Sequence, residues 1–257
     1  MKPSEIDSNS LVDDDDVAEG RALSILQGQA RIMGVELDTP EARMLYCFTR
    51  AVLSENKIVN LTAIESLSEA LRLHVIDSLA ALPELSRALE GRGIDIGSGG
   101  GFPGVPLAIA ANRGFVLLDS VEKKSAAVRR ALGACGVAGP LLSVSTGRAE
   151  TFSLHHNGEF VVVVARAVAS LPSLVELAAP LLCDEGLLIA LKGRLKNAER
   201  ESGARAAAIV GMSELSVRFF HLPGGGEGRS LVTYVKDREA NISLPRRIGL
   251  AQSRPLA

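Results

Sequence analysis

The sequence contains few cysteines, no tryptophan and no long apolar segment, and each shortage excludes a class of protein. Its three cysteines, Cys47, Cys135 and Cys183, stand far apart in 257 residues and form no CxxC pair. This pattern argues against a disulfide scaffold or a cysteine-rich metal site and suits a reducing cytosol. No apolar run reaches the roughly 18 residues that a membrane-spanning helix needs, and the N-terminus lacks a signal-peptide pattern. We therefore expect a cytoplasmic protein with no metal and no contact with a membrane.

The charge is unevenly distributed along the chain. Overall the net charge is only −2, with 47% hydrophobic and 23% charged residues, which is ordinary for a globular protein. Residues 1–20 hold seven acidic residues and one lysine, whereas residues 229–257 hold six basic and two acidic residues. We predict an acidic, disordered leader over residues 1–16 and a basic C-terminal tail over residues 241–257. The tail suits a polyanionic partner or, equally, a solvated surface.

Residues 17–89 have the apolar spacing of a helical cap. Thr39 is predicted to be the N-cap of a second helix, because Pro40 follows it and proline is favoured at the first helical position. A third is predicted from Ser66 to Glu69, which fits a capping box. The apolar residues that share a face are Leu23, Leu26, Ala30 and Met33 in the first helix, and Leu45, Phe48 and Val52 in the second.

From residue 90 to about residue 240, short apolar runs alternate with helical patterns. This alternation predicts βαβ crossovers and a doubly wound, mostly parallel α/β sheet. The last two strands, joined by Pro223-Gly-Gly-Gly226, are predicted to form an antiparallel edge hairpin. The predicted strands are 93–96, 115–119, 141–144, 160–165, 186–191, 215–220 and 230–235, and the predicted helices begin at Val105 and span 122–135, 172–182 and 198–210.

Residues 91–104 contain seven glycines, five of which form a loop between the end of the first strand and the following helix. Such a loop lets the backbone approach a ligand closely and presents free N–H groups to it. Gly99-x-Gly101-x-x-Gly104, with Asp119 twenty residues after Gly99, fits a dinucleotide fingerprint, so a nicotinamide cofactor must be considered. However, Asp95 precedes the loop, where a carboxylate suits a cation better than a pyrophosphate. The loop therefore favours S-adenosyl-L-methionine, with Asp119 accepting hydrogen bonds from the ribose.

An ordered set of motifs resembles the ribosomal RNA small subunit methyltransferase G family, also called glucose-inhibited division protein B. The set runs from about residue 40 to residue 250. Its most specific member is Gly-Phe-Pro-Gly-Val-Pro, which ends at Pro106. The motifs are Asn60-Leu-Thr62, His74-Val-Ile-Asp77-Ser78, Asp95-Ile-Gly-Ser-Gly-Gly-Gly-Phe-Pro-Gly-Val-Pro106, Leu118-Asp-Ser120 with Lys123-Lys124, Ala165-Arg-Ala167, Ala190-Leu-Lys-Gly193 and Pro245-Arg-Arg-x-Gly249.

The resemblance implies a class I methyltransferase (Rossmann-like) fold that methylates N7 of a guanine in the decoding region of 16S rRNA, within the small ribosomal subunit. The resemblance also implies that the cofactor is bound by Gly97, Gly99, Phe102, Asp119, Ala149, Glu150 and Arg166. Two positions depart from the family pattern: Glu55 stands where many relatives have tryptophan, and Leu73 where a basic residue often precedes the histidine. No obligate protein partner is expected.

Guanine N7 has a free lone pair and no proton, so its methylation needs no general base, and we assign no catalytic residue. His74 and Asp77 could orient the base, but a packing role under the glycine loop is the stronger interpretation. His155 and His156 lack a third ligand, and Lys123, Lys124, Arg129 and Arg130 suit a solvated helix face. The candidates for phosphate contacts are Lys192, Arg246 and Arg247, together with Lys196, Arg200, Arg205 and Arg254.

Few aromatic residues are available for stacking on RNA, with two tyrosines and seven phenylalanines. Two other functions remain open on the sequence alone. One is a nicotinamide-dependent oxidoreductase. The other is a non-catalytic ribosome-assembly factor that keeps the cofactor only as a structural ligand.

Overall fold

The computed structural model describes residues 14–137, 139, 141–226 and 228–257. Residues 1–13 of the predicted acidic leader therefore lie outside the described residues. Helix α1 spans Asp14–Ile32 and so includes the last three residues of the predicted leader. Aspartate is a favoured residue type in the first turn of a helix, because the N-terminal end of the helix dipole is positive.

The helical cap consists of α1 and four further helices. The predicted faces are confirmed, since Leu26, Leu45 and Phe48 are completely or almost completely buried. The remaining helices are α2 (Thr39–Asn56), α3 (Leu67–Ala70), α4 (Asp77–Leu79) and α5 (Leu82–Leu85), with a π-helical segment (Leu71–Ile76) between α3 and α4.

Both predicted caps need correction. Helix α2 is capped by Asp38, one residue before the predicted Thr39, because the Asp38 carboxylate accepts the Glu41 N–H at 2.7 Å. The Glu41 carboxylate in turn accepts the Asp38 N–H at 2.9 Å, which completes a capping box. The capping box predicted at Ser66 does not form, since the Ser66 hydroxyl instead lies 3.0 Å from that of Ser68.

A seven-stranded sheet forms the second part of the described chain. Its strand order is β3-β2-β1-β4-β5-β7-β6, in which β1 to β5 are parallel. The predicted antiparallel hairpin is confirmed: β7 pairs with both β5 and β6, which leaves β6 at the edge. The strands are β1 (Gly93–Ile96), β2 (Phe115–Asp119), β3 (Leu142–Thr146), β4 (Phe160–Arg166), β5 (Leu182–Lys192), β6 (Met212–Phe220) and β7 (Arg229–Lys236).

Helices cover both faces of the sheet, as its continuous apolar strands predict. The helix predicted over 172–182 ends early, at Ala178, because β5 already begins at Leu182 and pairs with Phe160 of β4. The helices are α6 (Gly104–Ala111), α7 (Glu122–Ala134), α8 (Ala149–Ser153), α9 (Leu171–Ala178), α10 (Asn197–Ile209) and α11 (Leu250–Ser253). No helix in the described part of the chain is both long and apolar enough to cross a membrane.

The cap is joined to the sheet domain by contacts between α2 and α7. The Sγ atoms of Cys47 and Cys135 lie 2.8 Å apart between these helices. Glu55 forms an ion pair with Arg130, with an Oε1–Nε distance of 3.0 Å, and this pair lowers the pKa of Glu55. Glu55, which departs from the family pattern, thus connects the cap to the domain through charge.

The strand order places a topological switch between β1 and β4. The chain runs outward from β1 through β2 to β3 and then returns to β4 on the other side of β1. Ligands of open α/β sheets bind at the carboxyl ends of the strands beside such a switch. The glycine loop after β1 and the residues that end β2 and β4 lie at this edge.

Candidate active site

The glycine loop, residues 97–104, connects β1 to α6 in a conformation that requires glycine. Gly97 has φ +71°, and a Cβ atom there would lie 2.5 Å from Cγ2 of Val168. Gly101 has φ +89°, and its Cβ would lie 2.8 Å from the Phe48 ring of α2. Gly99 also has a positive φ, +54°, but a Cβ there would meet almost nothing. The loop is therefore tightly packed at Gly97 and Gly101 and open at Gly99.

Asp95 lies in β1 directly beneath this loop and is completely buried. Its Oδ2 accepts the backbone N–H of Gly104 at 2.8 Å, which anchors the beginning of α6. Its Oδ1 finds no hydrogen-bond partner among the described residues. Burial raises the pKa of Asp95 to about 7, although the Gly104 N–H and the charge of Arg166 act in the opposite direction.

Asp119 ends β2 and holds the loop from the other side. Its Oδ2 accepts the N–H of Gly99 at 2.9 Å, and its Oδ1 accepts the N–H of Val121 at 2.9 Å. Each carboxylate oxygen can accept a second hydrogen bond. The twenty-residue spacing between Gly99 and Asp119 in the sequence therefore corresponds to a direct contact.

Three of the predicted cofactor residues, Gly97, Ala149 and Glu150, line one small pocket of about 60 Å³. Gln252 of α11 also lines it, and the Glu150 carboxylate accepts the backbone N–H of Gly249 at 2.8 Å. The C-terminal segment thus forms part of this pocket. A purine is larger than this pocket, so the pocket alone does not enclose an adenosine.

Besides these three and the contact between Gly99 and Asp119, two predicted cofactor residues remain. They are Phe102 and Arg166, which meet on the opposite side of the loop. Arg166 is the last residue of β4, and its Cζ lies 5.8 Å from the centroid of the Phe102 ring. Its Nη1 donates to the carbonyl of Leu73 at 3.0 Å and to Oδ2 of Asp77 at 3.1 Å, and its Nη2 lies 3.0 Å from Nδ1 of His74. Three contacts with the π-helical segment and the start of α4 therefore hold this cation at the end of a buried strand.

His74 lies within that π-helical segment and stacks on Phe102, with a centroid distance of 4.9 Å. Its Nε2 lies 2.7 Å from Oγ1 of Thr62. Because Arg166 can only donate, Nδ1 is the acceptor and Nε2 carries the proton, so the imidazole is neutral. Burial and the charge of Arg166 lower the pKa of His74 to about 4, consistent with this state. His74 does pack beneath the loop, as predicted, but its hydrogen bonds are to Thr62 and Arg166.

A cavity of about 440 Å³ opens above this cluster. Asp77 lies on its wall and accepts a second cation, Arg229 of β7, with an Oδ1–Nε distance of 3.3 Å. Leu73, the second departure from the family pattern, contributes an apolar wall. The lining residues are Ile64, Leu73, His74, Asp77, Arg166, Ala167, Leu191, Lys192, Gly193 and Arg229. The cavity combines fixed charges with apolar surface, which suits a flat polar molecule.

The structure separates the predicted phosphate contacts into two groups. Lys192 donates to the carbonyl of Ala169 at 2.9 Å and pairs with Glu199 at 2.8 Å. Arg246 pairs with the buried carboxylate of Glu176, with an Nε–Oε1 distance of 2.6 Å, so it holds the C-terminal segment against α9 and is a poor candidate for RNA.

Arg200 is likewise committed to Glu214, with an Nη2–Oε1 distance of 2.6 Å. The exposed candidates are Arg247, Lys196, Arg205 and Arg254. Their side chains make no hydrogen bond or ion pair with other residues of the described part of the chain, and they remain candidates for phosphate.

The adjacent histidines lie away from this site. Nδ1 of His156 is 2.5 Å from Oε2 of Glu159, and its ring stacks on Phe152. Within the described ranges there is no group of three or more residues able to hold a metal ion.

Sequence reasoning missed Thr62 and Arg229 as site residues. Thr62 belongs to the Asn60-Leu-Thr62 motif, but its role depends on a hydrogen bond to His74, twelve residues away. Arg229 begins a strand, and the residues around it in the sequence do not indicate a place in the site. Its pairing with Asp77 follows only from the antiparallel position of β7 next to β5.

The strand order, the glycine loop after β1 and the acid that ends β2 define a class I methyltransferase fold. A solved structure of a putative O-methyltransferase from Klebsiella pneumoniae shares this fold, with a TM-score of 0.51 over 85% of this chain and 99% of that one, at 17% identity. The likeness of the fold is thus much greater than that of the sequence.

The chain belongs to the rRNA small subunit methyltransferase G family, whose sequence profile matches residues 41–231. It is 39% identical over 204 residues to the ribosomal RNA small subunit methyltransferase G of Deinococcus radiodurans, covering 78% of this chain and 80% of that one. It is 36% identical to the protein of the same name from Geobacter sp. strain M21, covering 82% and 96%. Membership of this family argues against the nicotinamide alternative.

Proposed function

We propose that the protein transfers a methyl group from S-adenosyl-L-methionine to N7 of a guanine in 16S rRNA. The observation that carries the proposal is the arrangement of Asp95 and Asp119 around an open glycine loop, beside the cavity at Arg166, in a chain of this family. We expect the reaction to take place in the cytoplasm on the small ribosomal subunit or its rRNA, with no obligate protein partner.

The residues present fit the proposed cofactor. It carries an ammonium and a sulfonium, and Asp95 offers a buried carboxylate oxygen that lacks a partner among the described residues. A nearby cation would offset the burial that raises the pKa of Asp95. Asp119 retains acceptor capacity for ribose hydroxyls, and the loop is open at Gly99. A phosphate-bearing cofactor would instead meet two carboxylates at this point.

When bound, the cofactor supplies a methyl group on a positively charged sulfur. The protein then needs only to hold the guanine with N7 towards that methyl group, since N7 has a lone pair and loses no proton. His74 is neutral and hydrogen-bonded on both nitrogens, so it is not available as a general base. Catalysis by positioning and by fixed charges follows from these groups.

The test uses 30S subunits and rRNA from cells that lack this protein, with radiolabelled S-adenosyl-L-methionine. Borohydride–aniline treatment then cuts the RNA wherever N7 methylation has weakened a base. Label in 16S rRNA together with one scission site supports the proposal. Label without scission would place the methyl group on another atom.

The assembly-factor alternative predicts a different pattern. If the protein binds the cofactor and the small subunit but transfers no label to either substrate, the proposed reaction is wrong. The Arg166→Met variant controls for contaminating methyltransferases, because removing this guanidinium breaks the contacts with Leu73, His74 and Asp77.

A further inference from the structure

A second groove, of about 330 Å³, adjoins the cavity at Arg166. It lies between the segment after β5 and the β6–β7 hairpin. Gly193 and Arg229 line both the groove and the cavity, so the two are continuous. The residues that line the groove are Gly193, Arg194, Leu195, Phe219, Phe220, His221, Gly228 and Arg229.

Phe219, near the end of edge strand β6, is 65% exposed. The seven phenylalanines and two tyrosines all lie in the described part of the chain, and Phe219 alone among them is exposed. Its neighbour Phe220 instead packs against the core, with Cζ of Arg218 5.1 Å from the centroid of its ring. The exposed ring of Phe219 therefore contributes little to the core, and burial by a ligand would remove its apolar surface from water.

The charge around the ring is positive. Arg194 is exposed, and its side chain makes no hydrogen bond or ion pair with other residues of the described ranges. Arg229 carries a second positive charge and is held by Asp77 at the boundary between groove and cavity. Lys196, two residues after Arg194, is exposed as well. An exposed aromatic ring beside exposed cations is the usual composition of a single-stranded nucleic-acid site, in which bases stack and phosphates pair.

We infer that the Phe219 ring stacks on a base adjacent to the target guanine, while Arg194 contacts the phosphate between the two nucleotides. This inference rests on the proposed function, because it takes the cavity at Arg166 as the position of the target base. Neighbouring nucleotides occupy neighbouring sites, and the shared walls at Gly193 and Arg229 provide that continuity. The groove thus selects an unpaired segment of rRNA rather than a base-paired helix.

The first test uses Phe219→Trp. The chain has no tryptophan, so this variant carries a single indole whose fluorescence is quenched when a base stacks on it. Titration with a short single-stranded RNA that contains guanine should quench the signal, and the same sequence in a duplex should have much less effect. Absence of quenching at RNA concentrations that saturate the wild-type protein would overturn the inference.

The second test measures methyl transfer to the RNA substrate. Loss of one stacked base corresponds to a KM for RNA that is roughly 5- to 150-fold higher. We therefore expect Phe219→Ala to raise this KM by such a factor with little change in kcat or in cofactor affinity, and Phe219→Tyr to restore it. Leu215→Ala is the matched control, because Leu215 is also an exposed apolar residue of β6 but does not line the groove.

An unchanged KM in Phe219→Ala would refute the stacking role even in a fully active enzyme. Failure of the proposed function looks different. The wild-type protein would then transfer no methyl group, while quenching of Phe219→Trp by single-stranded RNA would still support the groove as a nucleotide site.

Discussion

Asp95 should make the stability of the unliganded protein fall as the pH rises, and Asp95→Asn should abolish this dependence. Burial raises the pKa of Asp95 from 3.8 to about 7 in the folded protein. Between these two values the folded state binds more protons than the unfolded state, so the free energy of unfolding decreases as the pH increases. The pKa rises by about 3, and each unit of pKa corresponds to about 1.4 kcal/mol. The free energy of unfolding is therefore about 4 kcal/mol lower above pH 7 than at low pH.

In the Asp95→Asn variant, the side-chain carbonyl would still accept the N–H of Gly104, but the amide would place an NH2 group where Oδ1 finds no partner among the described residues. An unsatisfied buried donor costs about 1–3 kcal/mol at every pH. The variant should therefore be less stable than the wild type near pH 4 and more stable by about 1–3 kcal/mol near pH 8, and the two stability curves should cross between about pH 4.5 and pH 6.

Urea unfolding at several pH values between about 4 and 8 measures both curves. Asp184→Asn, which removes an exposed carboxylate of β5, controls for the loss of one charge and should leave the slope unchanged. If the Asp95→Asn curve runs parallel to that of the wild type, the folded protein must already hold Asp95 as an anion. A dependence of cofactor binding on the protonation of Asp95 would then have no basis.

Substitutions at three further positions test the site and its surroundings. Gly97→Ala should destabilise the protein by about 2–5 kcal/mol in urea unfolding, because φ is +71° and the new Cβ would meet Val168; a cost below that range would mean that the loop relaxes. Arg246→Ala leaves Glu176 buried without its partner and should cost about 3 kcal/mol, whereas Arg246→Lys should recover part of the loss. Arg166→Met should raise the pKa of His74 above its value of about 4, since one lowering charge is removed; an unchanged imidazole NMR titration would contradict that coupling.

The central strands β1, β2 and β4 could be predicted because they are short, buried and bounded by glycine or charged residues. The bounds of β1 and β2 match their predictions. The position of the site followed as well, since Asp95, Asp119 and Arg166 lie in or at the ends of parallel strands that share one edge. Local composition was sufficient for these features because parallel βαβ units have a single common handedness.

The π-helical segment and the partners of Arg166 could not be predicted. The segment from Leu71 to Ile76 reads as ordinary helix, and its contacts with Arg166 are made by Leu73 and His74. Arg166 bonds to Asp77 across 89 positions of sequence and to Leu73 across 93. The commitment of Arg246 to Glu176 depends in the same way on where the C-terminal segment packs. Tertiary contacts of this length carry no local signal.

The same charges explain why the site should bind two ligands of opposite sign. Next to the loop lie the carboxylates of Asp95 and Asp119, which favour a cationic cofactor. Arg166 and the exposed Arg194 lie on the other side, facing the cavity and its adjoining groove, where they favour a polyanion. A cation bound beside Asp95 would also favour the ionised carboxylate, so cofactor affinity should rise between about pH 6 and pH 8 and binding should release protons. Calorimetry in buffers of different ionisation enthalpy measures that release, and a proton count of zero at pH 7 would show that Asp95 does not sense the cofactor.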